Sequence, residues 1–353
     1  MINKNKLTLF YCLLWLVLVL PLAACSQAPS STTAAPPSSS PQGNGSSYPV
    51  SITNYDAAEN PVPYSYKKAP ERVVITHPGA TELFLELGLE DHILSTVAPY
   101  GAPLGRLAAK YTKLTIMKAP YTPAQEELME MQPDLIIGWA HHFRPTEIGD
   151  INSWHERGVA TYIMPSTLTK IKPTLDNVIY AFITDIGQIF DIQNKASQYI
   201  EHAKQRVAHI EEAVKDVPQK KSVIILQDYN NGTFSLYGSN YLINNMVVIA
   251  GGKNISEDQA SFVGAEKVLS FDPDFIIFVP FSNSSIDLTD EQAATQLKAI
   301  EALESMRAIR ESNIINLPFF TVNNGGIRTI DAIEKIAKNL YPERFKKVAY
   351  ESD

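Results

Sequence analysis

The chain has almost no cysteine: two occur in 353 residues, at positions 12 and 25, and none follows. Beyond residue 25 this excludes a disulfide framework, a Cys-ligated zinc site and a cysteine nucleophile. Positive charge is in deficit. Thirty Lys and Arg face 38 Asp and Glu, for a net charge of −8, which excludes a general basic surface for nucleic acid. Histidine is missing from the last part of the chain, because all seven lie at or before residue 209. A histidine-rich metal site fed from both halves is therefore not available. Also absent are a Gly-x-Ser-x-Gly elbow, a His-Glu-x-x-His pair and a Gly-rich phosphate loop. These absences argue for a protein that binds rather than an enzyme.

What is present suits a globular protein. Hydrophobic residues make up 45% of the chain, an ordinary value for a packed core, and the length fits roughly two domains.

The N-terminus reads as an address. Lys4 and Lys6 precede an almost wholly apolar run over 7–20, and Pro21-Leu22-Ala23-Ala24-Cys25 follows. A charged start, an apolar core and a small-residue exit are the parts of a secretory signal. The Leu-Ala-Ala-Cys ending resembles the lipobox of bacterial lipoproteins, which implies cleavage after residue 24 and lipidation of Cys25. The other reading is an uncleaved transmembrane anchor, but the run is short of the about 20 apolar residues that a span takes. Either way the body lies outside the cytoplasm. Removal of residues 1–24 takes the charge from −8 to −10. Residues 25–47 are then a lipidated Cys and a Ser/Pro-rich segment with no large apolar side chain. Such a segment cannot bury enough surface to offset its chain entropy and reads as a disordered tether.

The body alternates short β-rich runs with helical patterns. Strands are expected at 72–76, 93–97, 135–139, 160–164, 222–226, 275–279 and 314–317, and a C-terminal helix at 329–340. This rhythm predicts parallel α/β sheets. Between the two sets, residues 175–217 contain one glycine, Gly187, and no proline before 217. They read as a helix to about 190 and a second to about 213. The expected division is an N-terminal lobe over 48–170, a bridging helix over 171–192 and a C-terminal lobe over 193–353.

One unit occurs twice. Glu126 stands seven residues before Pro133-Asp134-Leu135-Ile136-Ile137, and Glu266 stands seven before Pro273-Asp274-Phe275-Ile276-Ile277. Each copy is an acidic helix, a Pro-Asp turn and a buried strand. In the first, Thr122-Pro123-Ala124-Gln125 fits a capping box with proline at the first helical position.

The body, over about residues 70–345, resembles the substrate-binding proteins of ABC importers for iron-siderophores, haem and vitamin B12. The marks are Arg72-Val73-Val74 leading into Gly79-Ala80-Thr81-Glu82-Leu83, with Leu87-Gly88 behind. The two repeat units, Gly251-Gly252-Lys253-Asn254, Arg328 and Tyr341-Pro342-Glu343 complete them. The resemblance implies an α/β fold of two Rossmann-like lobes with parallel sheets, joined by a single long backbone helix. The ligand cleft lies between the lobes. It implies a lipid-anchored, extracytoplasmic monomer that performs no chemistry and requires no cofactor. The cargo is a metal chelate, first a ferric siderophore, otherwise a corrinoid or haem. The partners are an ABC permease dimer with its cytoplasmic ATPase. It further implies that Glu126 and Glu266, one per lobe, dock onto permease arginines. Solvated helix residues are the plainer reading of both.

Ligands of parallel α/β sheets sit beyond the carboxyl ends of the strands. Reading past each expected strand gives His77, then Tyr100, then Trp139, His141, His142, Phe143 and Arg144. Further on come Tyr229, Tyr237, Phe281, Phe320 and Arg328. Aromatic walls suit a large flat or catecholate ligand, and guanidinium forks suit carboxylates on a chelate. Core packing for the phenylalanines and helix bracing for Arg328 are the plainer alternatives. Related solute-binding proteins hold bare metal with several histidines, so His77, His141 and His142 remain candidate ligands from one side, for a metal ion or for haem iron or cobalt. Replacing Cys25 with Ala should release the protein from membranes into the soluble fraction on cell fractionation; unchanged retention would refute lipidation at Cys25.

Overall fold

The computed structural model describes residues 48–119, 122–230, 233–256, 260–280, 288–323 and 325–346. The signal, Cys25, the tether and Phe281 lie outside the described residues. So does the side chain of Tyr229.

The described chain opens with an antiparallel hairpin, β1 (Val50–Tyr55) and β2 (Pro61–Tyr66), that the sequence reading did not anticipate. Its use is to cover an edge. Asn54 Nδ2 donates to Ile163 O at 3.1 Å and Asn54 Oδ1 accepts from Ile163 N at 2.7 Å. Ile163 belongs to the last strand of the first sheet, whose outer groups would otherwise stand unpaired.

The first half then alternates as expected: β3 (Val73–Ile75), α1 (Pro78–Glu86), β4 (Ile93–Thr96), α2 (Gly105–Tyr111), α3 (Gln125–Met131), β5 (Leu135–Gly138), α4 (Ile151–Glu156) and β6 (Ala160–Ile163). Its strands run parallel in the order β4-β3-β5-β6. One detail departs from the sequence. Helix α3 starts at Gln125 with no side-chain cap, and Thr122 Oγ1 donates to Glu147 Oε2 at 3.1 Å, so the capping box does not form.

The connecting segment enters through a π-helical turn, Leu175–Tyr180, and continues as α5 (Ala181–Ile189) and α6 (Gln193–Val214). The second half contains β7 (Ser222–Asn230), β8 (Thr233–Leu236), α7 (Leu242–Ile249), β9 (Lys253–Asn254), β10 (Ala260–Gly264), α8 (Ala265–Leu269), β11 (Phe275–Val279), α9 (Asp290–Lys298), α10 (Arg307–Arg310), β12 (Ile314–Asn316), α11 (Phe319–Asn323) and α12 (Arg328–Leu340). Strands β9, β7, β11 and β12 pair in parallel, whereas β8 and β10 extend the sheet antiparallel. This antiparallel extension is additional to the expected parallel sheet. Its sequence signal is Asn231-Gly232 between β7 and β8, a dipeptide suited to tight hairpins.

The core has three layers. Along β5, Leu135 and Ile137 face a central cluster while Ile136 faces an outer one. Along β7, Val223 and Ile225 face the same central cluster while Ile224 and Leu226 face the other outer one. Burial on both faces explains why these strands read as continuous apolar runs. The central cluster also contains Ile183 and Ile186 of α5, Val207 and Ile210 of α6, and Ile333 and Ile336 of α12. It therefore belongs to both halves.

The repeated Pro-Asp turn has a common job. Asp134 accepts from Glu71 N at 2.7 Å and Arg72 N at 2.9 Å, at the entry to β3. Asp274 accepts from Ser222 N and Ser222 Oγ, both at 2.8 Å, at the entry to β7. Each carboxylate thus sets the register between its own strand and the parallel neighbour. Asp134→Ala and Asp274→Ala should each lower stability by about 2 kcal/mol, the scale of hydrogen bonds to a charged group. Urea unfolding of the two variants measures this, and an unchanged midpoint would deny the carboxylates that role.

Candidate ligand cleft

The carboxyl ends of β3 and β5 lie side by side, and each delivers a ring. His77 follows β3 and caps α1, where its Nδ1 accepts from Gly79 N at 3.1 Å. Trp139 follows β5. The two rings stack with centroids 4.7 Å apart and planes 18° from parallel. Tyr100 meets His77 edge-on at 5.7 Å. From the second half, Phe319 of α11 comes within 6.3 Å of Trp139, ring centre to ring centre. These aromatic groups meet at the boundary between the halves.

His77 is 1% exposed. His142 is also buried and shares a 2.8 Å hydrogen bond with Thr76 Oγ1. Gly138 makes that contact possible, since a Cβ there would overlap Thr76 Oγ1 and crowd His142. Burial, and then the neighbouring His142 and His141, hold His77 well below the usual imidazole range. Burial, with His141 adding, pushes His142 down to about 3. Both rings are neutral at physiological pH. His77 Nε2 and Trp139 Nε1 are buried with no hydrogen-bond partner. An unpartnered buried donor costs about 1–3 kcal/mol.

Arg328 stands across the same boundary. Its Nε lies 2.8 and 3.0 Å from the two carboxylate oxygens of Glu82 in α1, and its Nη2 donates to Ala102 O at 2.8 Å. The guanidinium also covers the Phe320 ring at 4.8 Å. With side-chain exposures of 17% and 6%, this pair is held where solvent screens little, and removal of one partner would strand a buried charge. Sequence reasoning proposed Arg328 for ligand but did not single out its partner Glu82. The available signal was an acid inside the apolar run 80–87; the pairing itself spans 246 residues. The two halves also touch at Gly325. Its φ is +55°, and a Cβ there would lie 2.6 Å from Ser166 and Val178. A cavity of about 280 Å³ opens at Arg328, lined in part by Leu104, Asn316 and Phe320.

The remaining expected residues divide. His141 is exposed beside Trp139, and Arg144 is exposed. Phe143 is fully buried in the outer core of the first sheet. Tyr237 is in the central core, its hydroxyl donating to Gln227 Oε1 at 2.9 Å. Neither joins the ring stack. Glu126 and Glu266 are exposed, each in the first turn of the helix before a central parallel strand.

A family profile described as periplasmic binding protein matches residues 73–320. The chain belongs to that family. It is the family its motifs resemble, and the two α/β halves with their helical connection are its architecture here. The chain is 24% identical over 305 residues to the uncharacterized ABC transporter substrate-binding lipoprotein YvrC of Bacillus subtilis, covering 85% of this chain and 88% of that protein. It is 22% identical over 328 residues to a cobalamin-binding protein of Halobacterium salinarum, covering 91% and 82%. The fold matches the crystal structure of a periplasmic binding protein from Veillonella parvula with a TM-score of 0.72. That match has 24% identity and covers 84% of this chain and 92% of that one.

The buried imidazoles of this binding protein make its stability depend on acid. Unfolded histidine takes a proton near pH 6.5, whereas folded His142 waits until about 3. The unfolded state therefore binds more protons as pH falls, and stability present above 6.5 is lost on the way to about 3. His142→Gln should flatten the slope of unfolding free energy between pH 6.5 and 5 by about half a proton at the upper end, rising toward one proton, about 1.4 kcal/mol per pH unit, at the lower. Equal slopes in urea titrations of both proteins would mean that His142 is not held neutral.

Proposed function

We propose that this periplasmic binding protein is an extracytoplasmic receptor, anchored through a lipid on Cys25. It would capture a metal chelate between its halves and deliver it to an ABC permease with its ATPase. The observation that carries this reading is the aromatic wall of Trp139 stacked on His77, facing Phe319 at the carboxyl ends of parallel strands. Stacked rings between two preformed walls suit a bulky conjugated or flat ligand. A chelate brings its own metal ligands, in keeping with the described residues, which hold no group of three His, Cys, Asp or Glu placed for an ion. Ferric siderophore is the first assignment. A corrinoid is the second, favoured by the cobalamin-binding relative.

Docking would use Glu126 and Glu266. Both are exposed, both open a short helix, and both helices lead into the central parallel strand of their half. Two like carboxylates, one per half, suit a permease that presents basic groups in a two-fold arrangement. Replacement of both by Ala should abolish uptake of radiolabelled chelate into cells. Affinity, read from quenching of tryptophan fluorescence by ferric siderophores, cobalamin and haem, should stay as in the wild type. Loss of binding in the double variant would make the glutamates structural or ligand residues instead. Quenching of the wild type by free metal ions alone would move the assignment to a direct metal receptor.

A further inference from the structure

The ring pair has an unused hydrogen-bonding capacity. Gly79 N–H donates to His77 Nδ1, so in the neutral ring the proton resides on Nε2. That nitrogen is then a donor, as an indole N–H always is. His77 Nε2–H and Trp139 Nε1–H are both buried, both without an acceptor, and carried by rings in contact with each other. The large majority of buried side-chain polar atoms in proteins find a partner. Two neighbouring failures of the same sign, at the boundary between the halves, mark a place where an acceptor arrives from outside.

The surroundings select the kind of acceptor. Arg328 is engaged by both oxygens of Glu82 and by Ala102 O. His77 and His142 are buried uncharged rings, and the Glu82 carboxylate is already paired with Arg328. Among the described residues no cation is hydrogen-bonded to or stacked on either donor ring, so an incoming carboxylate would meet no direct counter-charge there, and a buried anion without compensation is strongly disfavoured. A neutral oxygen needs only N–H donors. His77 Nδ1 is occupied by Gly79 and Nε2 holds the proton, so this ring offers no lone pair for axial ligation of a metal.

We propose that His77 Nε2–H and Trp139 Nε1–H together receive neutral carbonyl oxygen of the cargo, which makes the ligand a chelate bearing amide or hydroxamate carbonyls rather than one bound through carboxylates. This rests on the chelate-receptor reading above and narrows it. The two sources of such carbonyls, an amide-rimmed corrinoid and a hydroxamate siderophore, are the two arms of the test.

The full-length protein in detergent is titrated with cyanocobalamin, with ferrioxamine B and with haemin, in the wild type and in two variants. Trp139→Phe keeps a ring on His77 and removes one donor. His77→Asn keeps an acceptor for Gly79 N–H and removes the other. Wild-type binding of cyanocobalamin or ferrioxamine B, weakened about five- to tenfold in each folded variant, is the expected result, the scale of one lost hydrogen bond. In 15N-labelled wild type, the indole N–H resonance absent from Trp139→Phe should also shift on saturation. Unchanged affinity in both variants, or no shift at saturation, overturns the donor pair while the receptor reading stands. Binding of haemin alone likewise overturns it, because haemin offers carboxylates. Binding of none of the three removes the chelate reading itself, and the donor pair with it.

Discussion

Everything in this molecule is referred to one shared core. The central cluster takes the inner faces of both parallel sheets and the apolar faces of α5, α6 and α12. Two separate sheets could drift relative to one another; two sheets pressed against the same helices cannot do so without exposing apolar surface at roughly 25 cal/mol per Å². A helix as the connection adds stiffness, because bending it costs backbone hydrogen bonds that a flexible strand hinge would not lose.

That constraint fixes where the cleft forms. The sheets expose the carboxyl ends of β3 and β5, where His77 and Trp139 leave their strands, and α11 and α12 bring Phe319, Phe320 and Arg328 from the other half. The Glu82–Arg328 pair then ties the two sides directly. A buried ion pair of this kind adds little net stability over an apolar contact, but it is costly to break one-sidedly. It joins the start of α12 to α1. The same pair neutralises the charge that the sequence had seemed to offer to an anionic chelate.

Much of the fold was legible because each half repeats a simple pattern. Apolar runs such as Leu135-Ile136-Ile137 and Phe275-Ile276-Ile277, bounded by Pro-Asp turns, read as strands covered on both faces, and the helical stretch 175–213 contains no proline and a single glycine. The matched Pro-Asp turns were visible as a repeat, though their job, clasping the start of the neighbouring strand, depends on a contact 62 or 52 residues away. The hairpin over 50–66 escaped notice because its alternation is weak and its function is to cover an edge that exists only once β6 is in place. Of the expected cleft residues, those directly after β3 and β5 met as strand order requires. Phe143 and Tyr237 went into the core, since an aromatic side chain after a strand can turn to either side and composition does not say which.

The amino-acid sequence alone determined the class of the fold: two α/β halves and a helix between them. These are local properties, set by hydrophobic period, breakers and turn residues. Tertiary structure alone decided the chemistry of the cleft. Whether His77 is charged, which of its nitrogens holds the proton, and whether Arg328 is available to a ligand depend on burial and on partners brought from distant segments. Gly79 takes Nδ1, the packed wall removes the water, and Glu82 takes the guanidinium. Local sequence carries no record of those encounters, because a side chain's protonation and pairing follow from what folding places within about 3 Å of it.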